Sequence, residues 1–149
     1  MSRVIRSPRA RVWRALVTPS ELIRWDPRRI ELEEPAPDYP APGHLALWRC
    51  AIGSLVVPHC EDPLEVVPAE RLRSAVRLGA FQFEETYTLS DEEPGATRLS
   101  LRLAAKNSVP LLGGELDRFD VRRLAAERVG ETLAWLARWC ESGASEDGL

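Results

Sequence analysis

The side chains whose types and settings could do chemistry are Glu85, Tyr87, Arg49, Arg118, His59 and Cys60. Over residues 81–89 apolar and polar positions alternate, so Phe81, Phe83, Glu85, Tyr87 and Leu89 share one strand face, while Gln82, Glu84, Thr86 and Thr88 share the other. If that phase holds, Glu85 points inward between Phe83 and Tyr87. A carboxyl placed there loses water and its pKa rises, which is the condition for general acid–base work near neutral pH. A local bulge would instead turn Glu85 outward to pair with arginine, because a shift of one residue reverses the face. Arg49 sits in Leu47-Trp48-Arg49-Cys50-Ala51-Ile52, whose phase reads two ways. With Trp48, Cys50 and Ile52 inward Arg49 is solvated, the setting arginine favours. With Leu45 and Leu47 inward it could meet Glu85.

His59 and Cys60 suggest a nucleophile and its base, but adjacent strand residues project to opposite faces, and only a break at Pro58 would join them. A zinc site built from Cys50, His59 and Cys60 lacks short ligand spacings and a convincing fourth ligand, so no metal is expected. His44, after Pro42-Gly43, reads as a turn residue at a strand start.

The elements that must position these groups follow from periodicity. Residues 3–6 are β-prone, and Ser7-Pro8 reads as an N-cap with proline at the first helical position. Val12, Trp13 and Leu16 continue at helical spacing, and Thr18-Pro19 opens a second short helix through Trp25. Prolines 35, 37, 40 and 42 with Gly43 mark a loop. From His44 to Lys106 the pattern has period two, with runs 44–52, 54–60, 64–67, 71–78, 81–89 and 97–105. This predicts an antiparallel meander. Leu72, Ser74, Val76 and Leu78 oppose Arg71, Arg73 and Arg77, and Leu99, Leu101 and Leu103 oppose Arg98 and Arg102, so one face is apolar and the other charged, with Glu84 among the outward arginines.

From about Glu115 to Cys140 one long helix fits. Val121, Ala125, Val129, Thr132, Leu133, Leu136, Trp139 and Cys140 form its apolar stripe. Arg118 falls near the centre of that stripe. There an arginine needs an acidic partner or a bound carboxylate, carbonyl or phosphate, unless the first turn projects past the sheet edge into water. Trp48 and Trp135 are the tryptophans placed to touch a ligand, although Trp135, at the stripe's edge, could equally cover a sheet edge. Trp13, Trp25 and Trp139 read as structural.

Composition bounds the rest. The chain has 149 residues, 44% hydrophobic, with a net charge of -3, which suits one domain. That domain is placed at residues 1–141, followed by a small, polar, disordered tail at 142–149. At this length a core forms without staples and leaves room for a cavity. Acidic residues outnumber basic ones, 23 to 20, and the sequence pI is near 5.5, which argues against nucleic acid or a membrane surface as partner. Lys106 is the single lysine among the basic residues. Three cysteines without C-x-x-C spacing read as reduced thiols, and with no apolar leader or spanning run a cytoplasmic location is expected.

The order of strand, two short helices, meander and long helix resembles the helix-grip fold of the START and birch-pollen-allergen-like (SRPBCC) superfamily. The stretch Ser7-Pro8-Arg9-Ala10-Arg11-Val12-Trp13-Arg14-Ala15-Leu16 with Pro19-Ser20-Glu21-Leu22-Ile23-Arg24-Trp25 is similar to that superfamily's opening. Pro68-Ala69-Glu70-Arg71-Leu72 is similar to its entry into a central strand, and Gly95-Ala96-Thr97-Arg98-Leu99 to one of its turns. Within the superfamily the chain looks most like the bacterial polyketide cyclase/dehydrase and lipid-transport group. The resemblance implies an α+β fold in which six to seven curved strands wrap the C-terminal helix over a deep, mostly apolar cavity. It also makes Leu111-Leu112-Gly113-Gly114 a candidate gate. It implies an apolar or aromatic ligand touching Trp48, Arg49, Phe83, Arg118, Val121, Ala125, Val129 and Trp135. Glu85 or Tyr87 would move a proton while Arg118 or Arg49 polarises a carbonyl. No cofactor is required, and the protein is expected as monomer or homodimer. The same fold also allows a non-catalytic lipid or quinone carrier. A third reading is an interaction module, similar to the chaperone-activating branch, that uses Arg73, Arg77, Arg98 and Arg102.

Overall fold

A computed structural model describes residues 1–106 and 118–143, the side chains of 118–121 excepted. Strand β1 (Ser2–Ile5) leads into helices α1 (Arg9–Val17) and α2 (Pro19–Trp25). Strands β2 (Arg29–Leu32), β3 (Ala46–Ile52), β4 (Leu55–Val67), β5 (Arg71–Leu78), β6 (Phe81–Glu93) and β7 (Ala96–Ala105) follow, and helix α3 (Arg118–Glu141) comes last. The seven strands form a curved, unclosed antiparallel sheet in the order β1-β7-β6-β5-β4-β3-β2. All neighbours but one are consecutive in sequence. The exception pairs β1 with β7, placing Ile5 opposite Thr97, whose hydroxyl donates to the Ser7 carbonyl at 2.7 Å.

Helix α1 starts one residue later than Ser7-Pro8 predicts. Pro8 is its N-cap, with its carbonyl accepting from the N–H groups of Arg11 and Val12 at 3.0 and 3.1 Å. Ser7 makes no capping bond, and its own N–H turns back to the Ile5 carbonyl at 2.8 Å. Helix α2 begins as its sequence predicts, with Pro19 in the first turn, where its missing N–H has no helical acceptor to satisfy. Glu21, wholly buried, ties the helices together: it accepts from Arg14 Nε at 3.0 Å and Trp139 Nε1 at 2.8 Å, and pairs with Arg11 at 2.8 Å.

The core lies between the sheet's concave face and α3. Val129, Leu133, Leu136, Ala137 and Cys140 of α3 belong to one buried cluster with Ile5, Val12, Leu16, Tyr87, Leu89, Leu99 and Leu101. Burying a leucine of this kind is worth roughly 1.5–3 kcal/mol, so the α3 stripe alone is a large share of the stability. On the convex face the alternation runs as expected. Arg73 donates to Glu84 at 2.7 Å, Glu84 also lies 3.8 Å from Lys106, and Arg98 pairs with Glu92 at 2.9 Å. Arg71 pairs with Glu65, while Arg77 and Arg102 are exposed.

Strands β4 and β2 depart further from expectation. The runs 54–60 and 64–67 are one strand, β4, which passes through Pro63 with a register shift between Pro63 and Glu65 where proline cannot donate to the ladder. Residues 29–32, which no run predicted, form β2 at the sheet edge. That strand puts Arg29 inside, 8% exposed, and Ile30 outside, 44% exposed, the reverse of the usual pattern. The candidate gate at 111–114 and the residues 144–149 of the expected tail lie outside the described residues.

Candidate functional site

Beside its apolar core, the concave face carries a charged cluster. At its base, Asp26 follows α2 and accepts from Arg28 Nε at 2.8 Å, Arg28 Nη2 at 3.1 Å and the Arg28 backbone N–H at 3.1 Å. Arg29 Nε lies 3.3 Å from the same carboxylate, and Arg29 Nη1 donates to Glu61 of β4 at 2.5 Å. Burial alone would raise Asp26, but the Arg28 hydrogen bonds and the charges of Arg29 and Arg28 outweigh it and hold the group at about 2. Burial likewise opposes ionisation of Glu61, and the Arg29 charge overcomes it, so Glu61 also stays below the usual carboxylate range. An arginine can occupy the inner face of β2 because two carboxylates compensate it. Its guanidinium also stacks on the Trp48 ring, 4.7 Å from the centroid.

Arg28 reaches across to α3. Its Nη2 donates to Thr132 Oγ1 at 2.7 Å, Thr132 in turn donates to the Arg128 carbonyl at 2.8 Å, and the guanidinium lies 4.8 Å from the Trp135 ring centroid. The remaining Arg28 nitrogen, Nη1, is buried without a hydrogen-bond partner among the described residues.

Glu85 faces this cluster from β6, opposite Ser74 of β5 and Leu103 of β7. It is 8% exposed and makes no hydrogen bond or ion pair to any described residue. Burial and the nearby Glu61 charge push its pKa up to about 7, against the pull of Arg128, Arg29 and Arg28. Arg128, half-buried on α3, is likewise without a hydrogen bond or ion pair among the described residues. Burial first, and then repulsion from Arg28, lower its pKa. The cluster thus joins three guanidinium groups to two carboxylates held ionised and one carboxyl poised near neutrality.

Tyr87, 6% exposed, lies on the Glu85 face, where burial and the Glu85 charge raise its phenol well above the ordinary value. It therefore stays protonated and can act only as a hydrogen-bond donor or acceptor. Tyr39, 7% exposed, is raised in the same way by burial and Glu61.

His59 does not meet Cys60, which is half-buried on the other side of β4. It meets Cys50, its Nδ1 lying 3.2 Å from Sγ. Burial lifts the Cys50 thiol to about 11 and drives the His59 imidazole down to about 3, so both are neutral near pH 7 and form a hydrogen-bonded pair, not a thiolate nucleophile. His59 Nε2 and the cross-strand Trp48 Nε1 are buried without partners among the described residues. Among the described residues no group of three potential metal ligands converges.

Of the other residues singled out from sequence, Trp48 is fully buried, Phe83 is half-buried on the Glu85 face, and Val129 and Ala125 lie on α3, buried and half-buried respectively. Trp135 is half-buried against Arg28. Arg49 does not meet Glu85. It projects from the convex face, bonded to Glu31 at 3.0 Å and 3.7 Å from Glu33, because β3 turns Trp48 and Cys50 inward. The side chains of Arg118 and Val121 lie outside those described. Sequence reasoning missed Asp26, Arg28, Arg29, Glu61 and Arg128. Only Glu61 left a signal, since it sits two residues from His59 on one strand face.

The chain matches no protein-family model, and no curated protein is recognisably similar to it in sequence. Solved structures are similar in three dimensions. A START superfamily protein from Mycobacterium smegmatis superposes with a TM-score of 0.76 at 13% identity, covering 97% of each chain. This chain has the START-like helix-grip fold. TTHA0849 from Thermus thermophilus shares the helix-grip fold at TM-score 0.71 and 25% identity, with 97% of each chain covered. So does the Zhui aromatase/cyclase from Streptomyces sp. R1128, at TM-score 0.71 and 12% identity over 100% of this chain and 96% of that one. DynU16, from the dynemicin biosynthetic locus, matches at TM-score 0.68 and 20% identity over 98% of this helix-grip chain, which spans 48% of the DynU16 chain. No helix among the described residues is long and apolar enough to cross a membrane.

Proposed function

We propose that the protein binds a small apolar or aromatic molecule between the concave sheet and α3, and that Glu85 transfers a proton to or from it, as in a polyketide cyclase/dehydrase-like reaction. The observation that carries this reading is Glu85 itself: a buried carboxyl that makes no hydrogen bond or ion pair among the described residues, within the electrostatic reach of Arg128, which likewise has none there. Burying a carboxyl without a hydrogen-bond partner costs roughly 2–7 kcal/mol, a cost that a packing role does not explain. Likeness in fold to an aromatase/cyclase and to a START protein supports the location of the site.

The chemistry follows from position. With a ketone oxygen against Arg128 and Arg28 Nη1, the adjacent C–H becomes acidic. The ionised Glu85 takes that proton, and the enolate charge rests on the two guanidinium groups. Loss of a β-hydroxyl then consumes the same proton, so a C–H and a C–O bond break, a C=C bond forms and water leaves. Tyr87 stays protonated and orients the oxygen.

The test is turnover of an aryl β-hydroxyketone by the purified protein and by Glu85→Gln, with native mass spectrometry for retained molecules. Acid–base catalysis predicts a rate loss of about 10²–10⁴-fold in Glu85→Gln with binding kept. A retained apolar molecule with no wild-type turnover across such ketones would leave a carrier instead.

A further inference from the structure

Among the described residues, the titratable groups of the cluster that includes Glu85 can be named element by element. Asp26 and Arg28 follow α2, Arg29 stands on β2, Tyr39 in the loop after it, Cys50 on β3, His59 and Glu61 on β4, Tyr87 on β6 and Arg128 on α3. The flanking positions on β5 and β7 are the uncharged Ser74 and Leu103. Arg28, Arg29 and Arg128 are cationic, and Asp26 and Glu61 are anionic. With a proton on Glu85 the cluster carries one uncompensated positive charge; with Glu85 ionised it is neutral. The positive charge has an address. The Asp26 and Glu61 bonds engage Arg29 and part of Arg28, whereas Arg128 and Arg28 Nη1 have no partner among the described residues. Both belong to the place where Arg28 meets α3 through Thr132, one helical turn from Arg128.

From this arrangement we infer that the site takes an amphipathic organic molecule bearing a single negative charge, its anionic oxygen held by Arg128 and Arg28, together with one proton on Glu85. The inference rests on reading the charged region between sheet and α3 as a ligand site, and adds the charge class of the ligand and its coupling to a proton; an anion beside a protonated Glu85 carries the same charges as the enolate state of the proposed reaction. An anion brought in beside an ionised Glu85 would leave the buried cluster one negative charge in excess, while protonation of Glu85 restores balance. Binding therefore draws a proton from solution when free Glu85 is ionised. Among the described residues no other group of the cluster changes charge near neutrality: Asp26 titrates at about 2, His59 at about 3 and Cys50 at about 11, Glu61 stays below the ordinary carboxylate range, and both phenols stay above theirs.

The test compares two dyes of nearly the same shape, 8-anilinonaphthalene-1-sulfonate, whose charge does not titrate, and the uncharged N-phenyl-1-naphthylamine. Titration calorimetry at several pH values, in two buffers of different ionisation heat, reads affinity and proton uptake. The sulfonate is expected to bind at least tenfold tighter than the amine below neutrality. Its Kd should rise toward tenfold per pH unit above the Glu85 midpoint, with about one proton taken up per dye there. Glu85→Gln, which folds without a buried charge at that position, is expected to keep the low-pH affinity at every pH and take up no proton. Arg128→Met is expected to weaken sulfonate binding at least tenfold and so remove its preference over the amine. Equal affinities with no proton uptake would overturn the anion and proton coupling yet leave the ligand site standing. Binding of neither dye would overturn both.

Discussion

Replacing Glu85 with Gln should change how stability depends on pH, and the change can be worked from the environment of the residue. In the folded protein Glu85 titrates at about 7, against 4.5 for an ordinary glutamate. A raised carboxyl pKa means that the folded state holds a proton the unfolded chain has released, so its contribution is complete below about 4.5 and is lost as pH rises through about 7. At roughly 1.4 kcal/mol per unit, that interval amounts to about 3 kcal/mol. His59 acts in the opposite direction. It is held neutral, titrating at about 3 against 6.5, so its protonation in the unfolded chain costs stability as pH falls below about 6.5. The two slopes cancel from about 4.5 to 6.5, where the wild type should be nearly flat with pH. Glu85→Gln leaves only the His59 slope and should become more stable as pH rises toward 6.5. Urea unfolding of both proteins from about pH 5 to about pH 8 gives the difference directly, and any constant packing effect of the amide drops out. The stability of the variant relative to wild type should grow by about 2–3 kcal/mol across that range and then level. A difference that stays constant with pH would refute the claim that Glu85 is held protonated.

Arg29→Leu should lose roughly 3–5 kcal/mol in urea unfolding, because Asp26 and Glu61 would remain buried with too little positive charge. Arg49→Ala, by contrast, should leave both the melting temperature and dye binding at wild-type values, since Arg49 stands in water on the convex face; a large loss of dye binding would place it in the site after all. Glu21→Ala should cost roughly 1.5–3 kcal/mol by calorimetry, as it removes the charged acceptor of the Trp139 indole and the carboxylate that pairs with Arg11 and Arg14. Of the three cysteines, Cys60 alone should react quickly with a disulfide reagent in the native protein, with Cys50 and Cys140 reacting only on unfolding. Rapid loss of a second thiol, assigned to Cys50 by peptide mapping, would contradict its hydrogen bond to His59.

Much of the architecture was legible because it rests on local periodicity. Period two from His44 to Lys106 and a helical stripe ending at Cys140 each specify which face is apolar, and a sheet with one apolar face and a helix with one apolar stripe have few ways to combine. The same alternation placed Glu85 and Tyr87 inward and Glu84 outward among arginines. It failed at β2, where Arg29 is inside and Ile30 outside. Hydrophobicity indicates a face only when the inward side chain is apolar, and here the inward cation depends on Asp26 and on Glu61, which lies far along the chain. The phase of Arg49 was undecidable for a related reason, since the residues beside it include apolar side chains on both faces of β3.

By itself the sequence determined the elements, their faces and one candidate carboxyl, because each depends on neighbours a few residues away. What only the tertiary structure decided is the electrostatic setting. Asp26, Arg28, Arg29, Glu61, Glu85 and Arg128 come from four separate parts of the chain, and a pKa or an unpaired charge depends on distances through space. The strand phase indicated only that Glu85 faces inward. Folding placed it beside one anion and three cations, and that decides the pH at which it can carry a proton.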